Sequence, residues 1–352
     1  MRARLLPFLL TVGCTTSAAD DSTTTPPDAS TSSATEPPTA SSGVDSATGK
    51  ATSDGPADSS GGSVDSTGLG STGEPGCPAL PDPTPSWLLP MQEDIVARLA
   101  GATELTPGVT LSDRSTPASR AATRDFLVEQ LDTLGLGGQL QTYSDTGTNV
   151  YAALPATLET NRTIVIGAHF DSVPGSPGAN DNATGVAMVL SLGRWLQDLP
   201  CRDLNVLLVL FDEEEIGLLG SFGYAQWLAA QDLDVVSVHT IDQMGWDANG
   251  DRGLEIERPD PGLLEVYEQA EPLAPGDTPL TETQTGFTDH VSFRKLGFDA
   301  VGLTEQFVTG DTTPHYHLPS DTFETVDLGF LASSTVLLHV AIGGLVASEP
   351  DA

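Results

Sequence analysis

Residues 204–211, with Asn205-Val206-Leu207-Leu208-Val209-Leu210 at their centre, form an almost solidly apolar run. A strand with one wet face alternates apolar and polar residues. A run apolar on both faces reads as a central strand covered by helices on each side. The flanking segments fit that expectation. Helical spacing occurs over 90–100 and 118–134; in the second, Ala122, Phe126, Leu127, Leu131 and Leu134 share a face, and Ser115 and Thr116 before Pro117 supply a cap. Strand-like runs occupy 138–143, 149–154, 163–168 and 235–241, and helical stretches occupy 184–196, 218–230, 262–270, 290–296 and 327–346. This alternation predicts one three-layer α/β/α sandwich with a mostly parallel sheet.

The N-terminal portion cannot join that sandwich. Residues 1–14 read as a short export signal: Arg2 and Arg4, the apolar run 5–12, then Gly13 and Cys14. The run falls short of the roughly 20 apolar residues that span a bilayer. Thr11-Val12-Gly13-Cys14 resembles a bacterial lipoprotein box, whose Cys is lipidated, although Thr11 stands where Leu is usual. An ordinary cleaved signal is the alternative, and either reading exports the chain. Residues 15–76 are Ser, Thr, Asp, Pro, Gly and Ala with almost nothing to bury, so a disordered tether is expected. A flexible segment of that length has a reach of roughly 40–45 Å. The folded domain is then 77–352. A bacterial envelope lipoprotein follows, at the outer membrane or cell surface, or released from it.

Charge removes several classes of function. With Lys+Arg 14 against Asp+Glu 49, and only Lys50 and Lys295 as lysines, the net charge is −35. No nucleic-acid partner is expected, since phosphate neutralisation needs clustered cations. Three cysteines exclude a disulfide-dense scaffold and a Cys-based zinc module. With Cys14 lipidated and the chain in an oxidising compartment, Cys77 and Cys201 are expected to pair; the alternative is two separate thiols.

In α/β sheets, ligands sit beyond the carboxyl ends of the strands. The strand at 163–168 leads into His169 and Asp171, which project to one side, so that Asp171 can orient the imidazole. A polar turn, Gly178-Ala179-Asn180-Asp181-Asn182, leads into a helix; taken alone, Asp181 reads as a cap. The buried strand ends in Asp212-Glu213-Glu214-Glu215, four carboxylates that repel one another without a cation. The run at 235–241 ends at Asp242, and His315-Tyr316-His317-Leu318-Pro319-Ser320-Asp321-Thr322 supplies histidines.

In this order the motifs resemble the co-catalytic di-zinc aminopeptidase family, relatives of glutamate carboxypeptidase-like enzymes and glutaminyl cyclases. The resemblance spans 87–347 and implies a zinc-exopeptidase sandwich of the phosphorylase/hydrolase-like kind. It implies two zinc ions: His169 on one, Asp181 bridging both, Glu215 and His317 on the other, and Asp242 beside His169. His315 is the alternative if the register slips. Glu214, first in Glu-Glu-x-Gly, is implied as general base. Tyr316 matches a tyrosine that in some members hydrogen-bonds the tetrahedral intermediate, with packing as its alternative role. Thr288, in Thr288-Asp289-His290, is implied to support Asp242. The Asp181–Asn182 peptide falls where relatives have a cis bond. Peptides with a free N-terminus are the implied substrates, and a monomer is expected. Rival readings are a single-zinc glutaminyl cyclase, a glutamate-releasing carboxypeptidase using Arg258 or Arg294 for a substrate carboxylate, and a catalytically dead binding module.

Overall fold

The computed structural model describes residues 79–347. Elements follow in chain order: α1 (Leu88–Leu99), α2 (Pro117–Thr133), β1 (Gln139–Thr142), β2 (Thr148–Leu154), β3 (Arg162–His169), α3 (Gly185–Gln197), β4 (Asn205–Phe211), α4 (Leu219–Ala229), β5 (Asp234–Asp242), β6 (Leu254–Glu257), α5 (Leu263–Ala270), β7 (Leu280–Thr283), α6 (His290–Arg294), β8 (Ala300–Glu305) and α7 (Leu328–Ala347). All eight strands form one sheet in the order β1-β2-β4-β3-β5-β8-β6-β7. β4, β3, β5 and β8 run parallel in its middle, and β6 pairs parallel with β7. β1–β2, β2–β4 and β6–β8 are antiparallel. The α2 cap is the expected one: Thr116 accepts from Ser119 N–H at 3.1 Å, and the Ser119 hydroxyl receives the Thr116 N–H in return.

The period of two along β4 explains the layers. Val206, Leu208 and Leu210 join the core that also contains side chains of α1, α2, α3, α5 and α7. Leu207, Val209 and Phe211 face Tyr224, Ala225 and Leu228 of α4 and Phe293 of α6. Each such side chain, fully buried, contributes about 1.5–3 kcal/mol of transfer free energy. Gly167 in β3 is required by the same packing, because a Cβ there would collide with the Phe211 ring.

β6, β7 and β8 had no counterpart among the strand-like runs. Their residues Leu254-Glu255-Ile256-Glu257, Leu280-Thr281-Glu282-Thr283 and Ala300-Val301-Gly302-Leu303-Thr304-Glu305 mix apolar with acidic and hydroxyl side chains, as an exposed segment would. Here Glu255, Glu257 and Glu305 are nonetheless buried.

α7 is apolar enough, at mean hydropathy 1.9, to cross a membrane by length and composition, but 72% of that stretch is buried inside the fold, which makes it a core helix. Within it His339 stacks on Trp195 at 4.7 Å and lies 2.9 Å from the Pro83 carbonyl through Nδ1. Burial pushes its pKa down to about 4. The unfolded chain, with a histidine pKa near 6.5, therefore binds this proton more readily, and folding loses stability as pH falls from about 6.5 toward 4. His339→Gln removes this dependence. The stability advantage of wild type over that variant is expected to shrink by about 1.4 kcal/mol per pH unit across that window, read from urea unfolding at several pH values.

Cys201 precedes β4 and is disulfide-bonded. Cys14 and Cys77 lie outside the described residues, as do the segments expected to form the export signal and the tether.

Candidate metal centre

Four parallel strands end on the same side of the sheet, and their final residues and following loops converge there. β3 ends at His169, whose Nε2 lies 3.3 Å from Asp181 Oδ1 and 3.4 Å from Asp242 Oδ1, the latter at the end of β5. His317 Nε2 lies 3.3 Å from Asp181 Oδ2 and 3.1 Å from Glu215 Oε2. The two oxygens of Asp181 thus face two different half-sites. Donor atoms within 4.8 Å of one another occur in His169/Asp181/Asp242, in Asp181/Glu215/His317 and in His169/Glu214/Glu215.

Local folding puts Asp181 there. It lies in the turn Ala179–Thr184, its peptide to Asn182 is cis, and its side chain caps no helix. Asn182 Nδ2 donates to the Ile241 carbonyl at 2.8 Å, which fastens the turn to β5. Asp321 receives the Asn180 N–H at 2.8 Å and the Asp181 N–H at 3.1 Å, tying the turn to the segment that carries His317.

The four-carboxylate run divides into two pairs. Asp212 and Glu213 turn away from the cluster onto Arg120 of α2, at 2.7 and 2.6 Å, and Tyr143 donates to Glu213 Oε2 at 3.1 Å. Glu214 and Glu215 turn into the cavity. Their backbone N–H groups are held by one carboxylate, Asp171, at 3.0 and 3.2 Å. Asp171 also stands 3.5 Å from His169 Nδ1, so it positions three members of the cluster. Arg120 carried a signal in the sequence: residues 120, 123, 127 and 131 share a face of α2, which places a cation on its buried stripe.

Thr288 departs from expectation. Its hydroxyl donates to Glu257 Oε2 at 2.7 Å and lies 2.8 Å from His290 Nδ1, so it supports Glu257 rather than Asp242. The cause is the unforeseen β6, which brings Glu257 within its reach. Tyr316 lines the cavity, half-buried and stacked on His317 at 3.7 Å. His315 sits apart, 2.9 Å from Ser320 Oγ and edge-on to Trp246. Arg258 and Arg294 line a separate surface notch, where Arg294 pairs with Asp260 at 2.6 Å.

The electrostatics are those of an acidic cluster that needs a cation. Burial pushes Glu214 well above the carboxylate range, against the pull of His169 and with Asp289 and Asp242 adding to the rise. Burial likewise raises Glu215 and Asp242. Hydrogen bonds to Asp181 and Glu215 raise His317 to about 10. Glu215 Oε1 is buried with no hydrogen-bond partner. Two imidazoles and three carboxylates with an orphaned oxygen are a donor set that fits zinc.

Known proteins share this arrangement of sequence and fold. The description "Peptidase family M28" matches residues 149–341. Aminopeptidase YwaD of Bacillus subtilis is 32% identical over 203 residues, covering 55% of this chain and 44% of that protein. A probable lipoprotein aminopeptidase of Mycobacterium tuberculosis, LpqL, is 28% identical over 210 residues, covering 51% and 42%. The solved structure of BSAP, a zinc aminopeptidase from Bacillus subtilis, aligns with a TM-score of 0.53 at 27% identity over 58% of this chain and 51% of that one. The chain spans about half the length of the curated relatives it matches. Because the matched segment runs from β2 into α7 and takes in every residue of the cluster, the chain belongs to peptidase family M28.

Proposed function

We propose that this chain is an exported, envelope-anchored aminopeptidase that works with two zinc ions. The observation that carries the reading is Asp181, whose two oxygens face separate half-sites. His169 and Asp242 would hold one ion, Glu215 and His317 the other, and Asp181 both. When bound, zinc supplies Lewis acidity toward water and the scissile carbonyl. Glu214 takes the proton from the attacking water and passes it to the leaving amine. The Tyr316 hydroxyl donates to the carbonyl oxygen as that atom gains charge. The surrounding carboxylates attract a free α-ammonium, which favours cleavage at peptide N-termini. No arginine or lysine lines the cavity among the described residues, so a substrate carboxylate has no partner there and the carboxypeptidase reading is disfavoured.

Zinc stoichiometry tests the reading together with a panel of aminoacyl-p-nitroanilides. Two ions per chain are expected, with hydrolysis abolished by chelator and restored by zinc. One ion with glutamine cyclisation indicates the cyclase, and none indicates a binding module.

The domain plan is part of the proposal: 1–14 as signal, 15–76 as tether and 77–352 as peptidase. Similarity to a protein described as a probable lipoprotein aminopeptidase supports the anchor. A lipidated Cys14 bearing two or three acyl chains exceeds the single chain that gives only reversible binding. Cys14→Ser is expected to move the enzyme from the membrane to the soluble fraction with kcat/KM unchanged on small substrates. A Cys14→Ser protein still in the membrane fraction overturns the anchor.

A further inference from the structure

Several buried carboxylates at this end of the sheet are spent on backbone. Asp171 and Asp321 each receive two backbone N–H groups; Glu305 receives those of Gly245 and Trp246, and Glu255 those of Val308 and Thr309. Glu257 is different. It closes β6, is 1% exposed, and lines the same cavity as the metal cluster. Among the described residues no backbone N–H reaches its carboxylate. Its Oε2 accepts from the Thr288 hydroxyl and stands 3.7 Å from His290 Nδ1, while no hydrogen bond reaches its Oε1 among the described residues. Burial lowers His290 to about 4, so that imidazole is neutral and offers no charge.

The space for this carboxylate is built into the sheet. Gly302 of β8 is the register partner of Glu257, and a Cβ there would crowd both Oε2 and the His290 ring. A carboxylate withdrawn from water without a cation costs several kcal/mol. Glutamine could also accept the Thr288 hydrogen bond, and burial already opposes the charge by raising Glu257 to about 7. A ligand with a cation favours the charged form. Thr285 and Thr304 add polar wall to the same cavity, and the rings of Phe287 and Phe307 offer apolar surface to an alkyl stem. Phe287 is 80% exposed, which puts it at the mouth.

We propose that Glu257 determines specificity by receiving the basic side chain of an N-terminal Lys or Arg, making the enzyme selective for basic N-terminal residues. This rests on the aminopeptidase reading above. The stem of such a side chain packs on the aromatic rim while its charged head meets Oε1.

The test compares zinc-loaded wild type with Glu257→Gln and Glu257→Leu on p-nitroanilides of Lys, Arg, norleucine and Ala. Norleucine keeps the stem of Lys and drops its charge. Wild type is expected to favour Lys over norleucine by about 10-fold or more, the scale of one hydrogen bond to a charged group. Glu257→Gln should lower kcat/KM for Lys and Arg about 10–100-fold, mainly through KM, while norleucine and Ala stay within about 3-fold. Glu257→Leu should invert the preference. Equal treatment of Lys and norleucine by wild type overturns the proposal. So does an equal loss on all four substrates, which would mark Glu257 as a partner of the α-ammonium or as a structural group. Calorimetric binding of 1,5-diaminopentane against pentylamine reads the same preference without turnover. Absence of turnover on every anilide, with the diamine preference intact, fails the aminopeptidase reading alone.

Discussion

Glu214→Gln is expected to lower kcat on aminoacyl anilides by about 10²–10⁴-fold, the contribution of a positioned acid–base group, with zinc content unchanged. The amide fits the same space and keeps the hydrogen bond of the Glu214 backbone N–H to Asp171, but it cannot take a proton from water. Glu214 and Glu215 are neighbours on one turn, and both approach His169. Their roles are therefore separated by the metal content of the variants. Glu215→Ala should lose one ion per chain and Glu214→Ala none. The reverse pattern would exchange the two roles.

The second large effect is on stability. Arg120→Met leaves Asp212 and Glu213 buried beside each other with no cation, and removing one partner of a buried pair typically costs about 3–5 kcal/mol. Burial already raises Asp212 to about 6, and Arg120 is the cation that opposes this rise. The turn 213–218 begins at Glu213 with φ of 58°, so loosening its anchor also moves Glu214 and Glu215. Urea unfolding of the chelated protein should show the loss, and the variant should bind zinc more weakly. Adding Asp212→Asn and Glu213→Gln should restore part of the stability. A cost below about 1 kcal/mol, the range of exposed pairs, would show that the network is solvated.

How far the sequence discloses this molecule depends on where each residue's partner lies. β3 and β4 declare themselves because burial on both faces leaves a continuous apolar run. The helices do so through a spacing that the chain carries locally. Of the legible strands of the parallel centre, β3 and β5 end in His169 and Asp242, which join the cluster, while β4 ends at Phe211 and reaches the site only through the turn that carries Glu214 and Glu215. Glu255, Glu257 and Glu305 conceal β6 and β8, because a buried carboxylate, whether it clamps a loop as Glu255 and Glu305 do or faces the cavity as Glu257 does, looks in sequence like surface. The division of 212–215 into a structural pair and a cavity-facing pair is equally hidden. It is decided by Arg120, 93 residues away from Glu213. The resemblance pairs Thr288 with Asp242 because it transfers a residue's type without the strand beside it, and β6 places Glu257 there instead.

The last helix also bears on how the domain is made. α7 packs against α1, α3 and α5, and its side chains reach back to the first described residues: Gln92 donates to Thr335 at 2.6 Å, and His339 meets Pro83. The sheet's main hydrophobic face therefore stays open until residues near 340 have been synthesised. A chain stopped short of them lacks the helix that covers this face and cannot close its core.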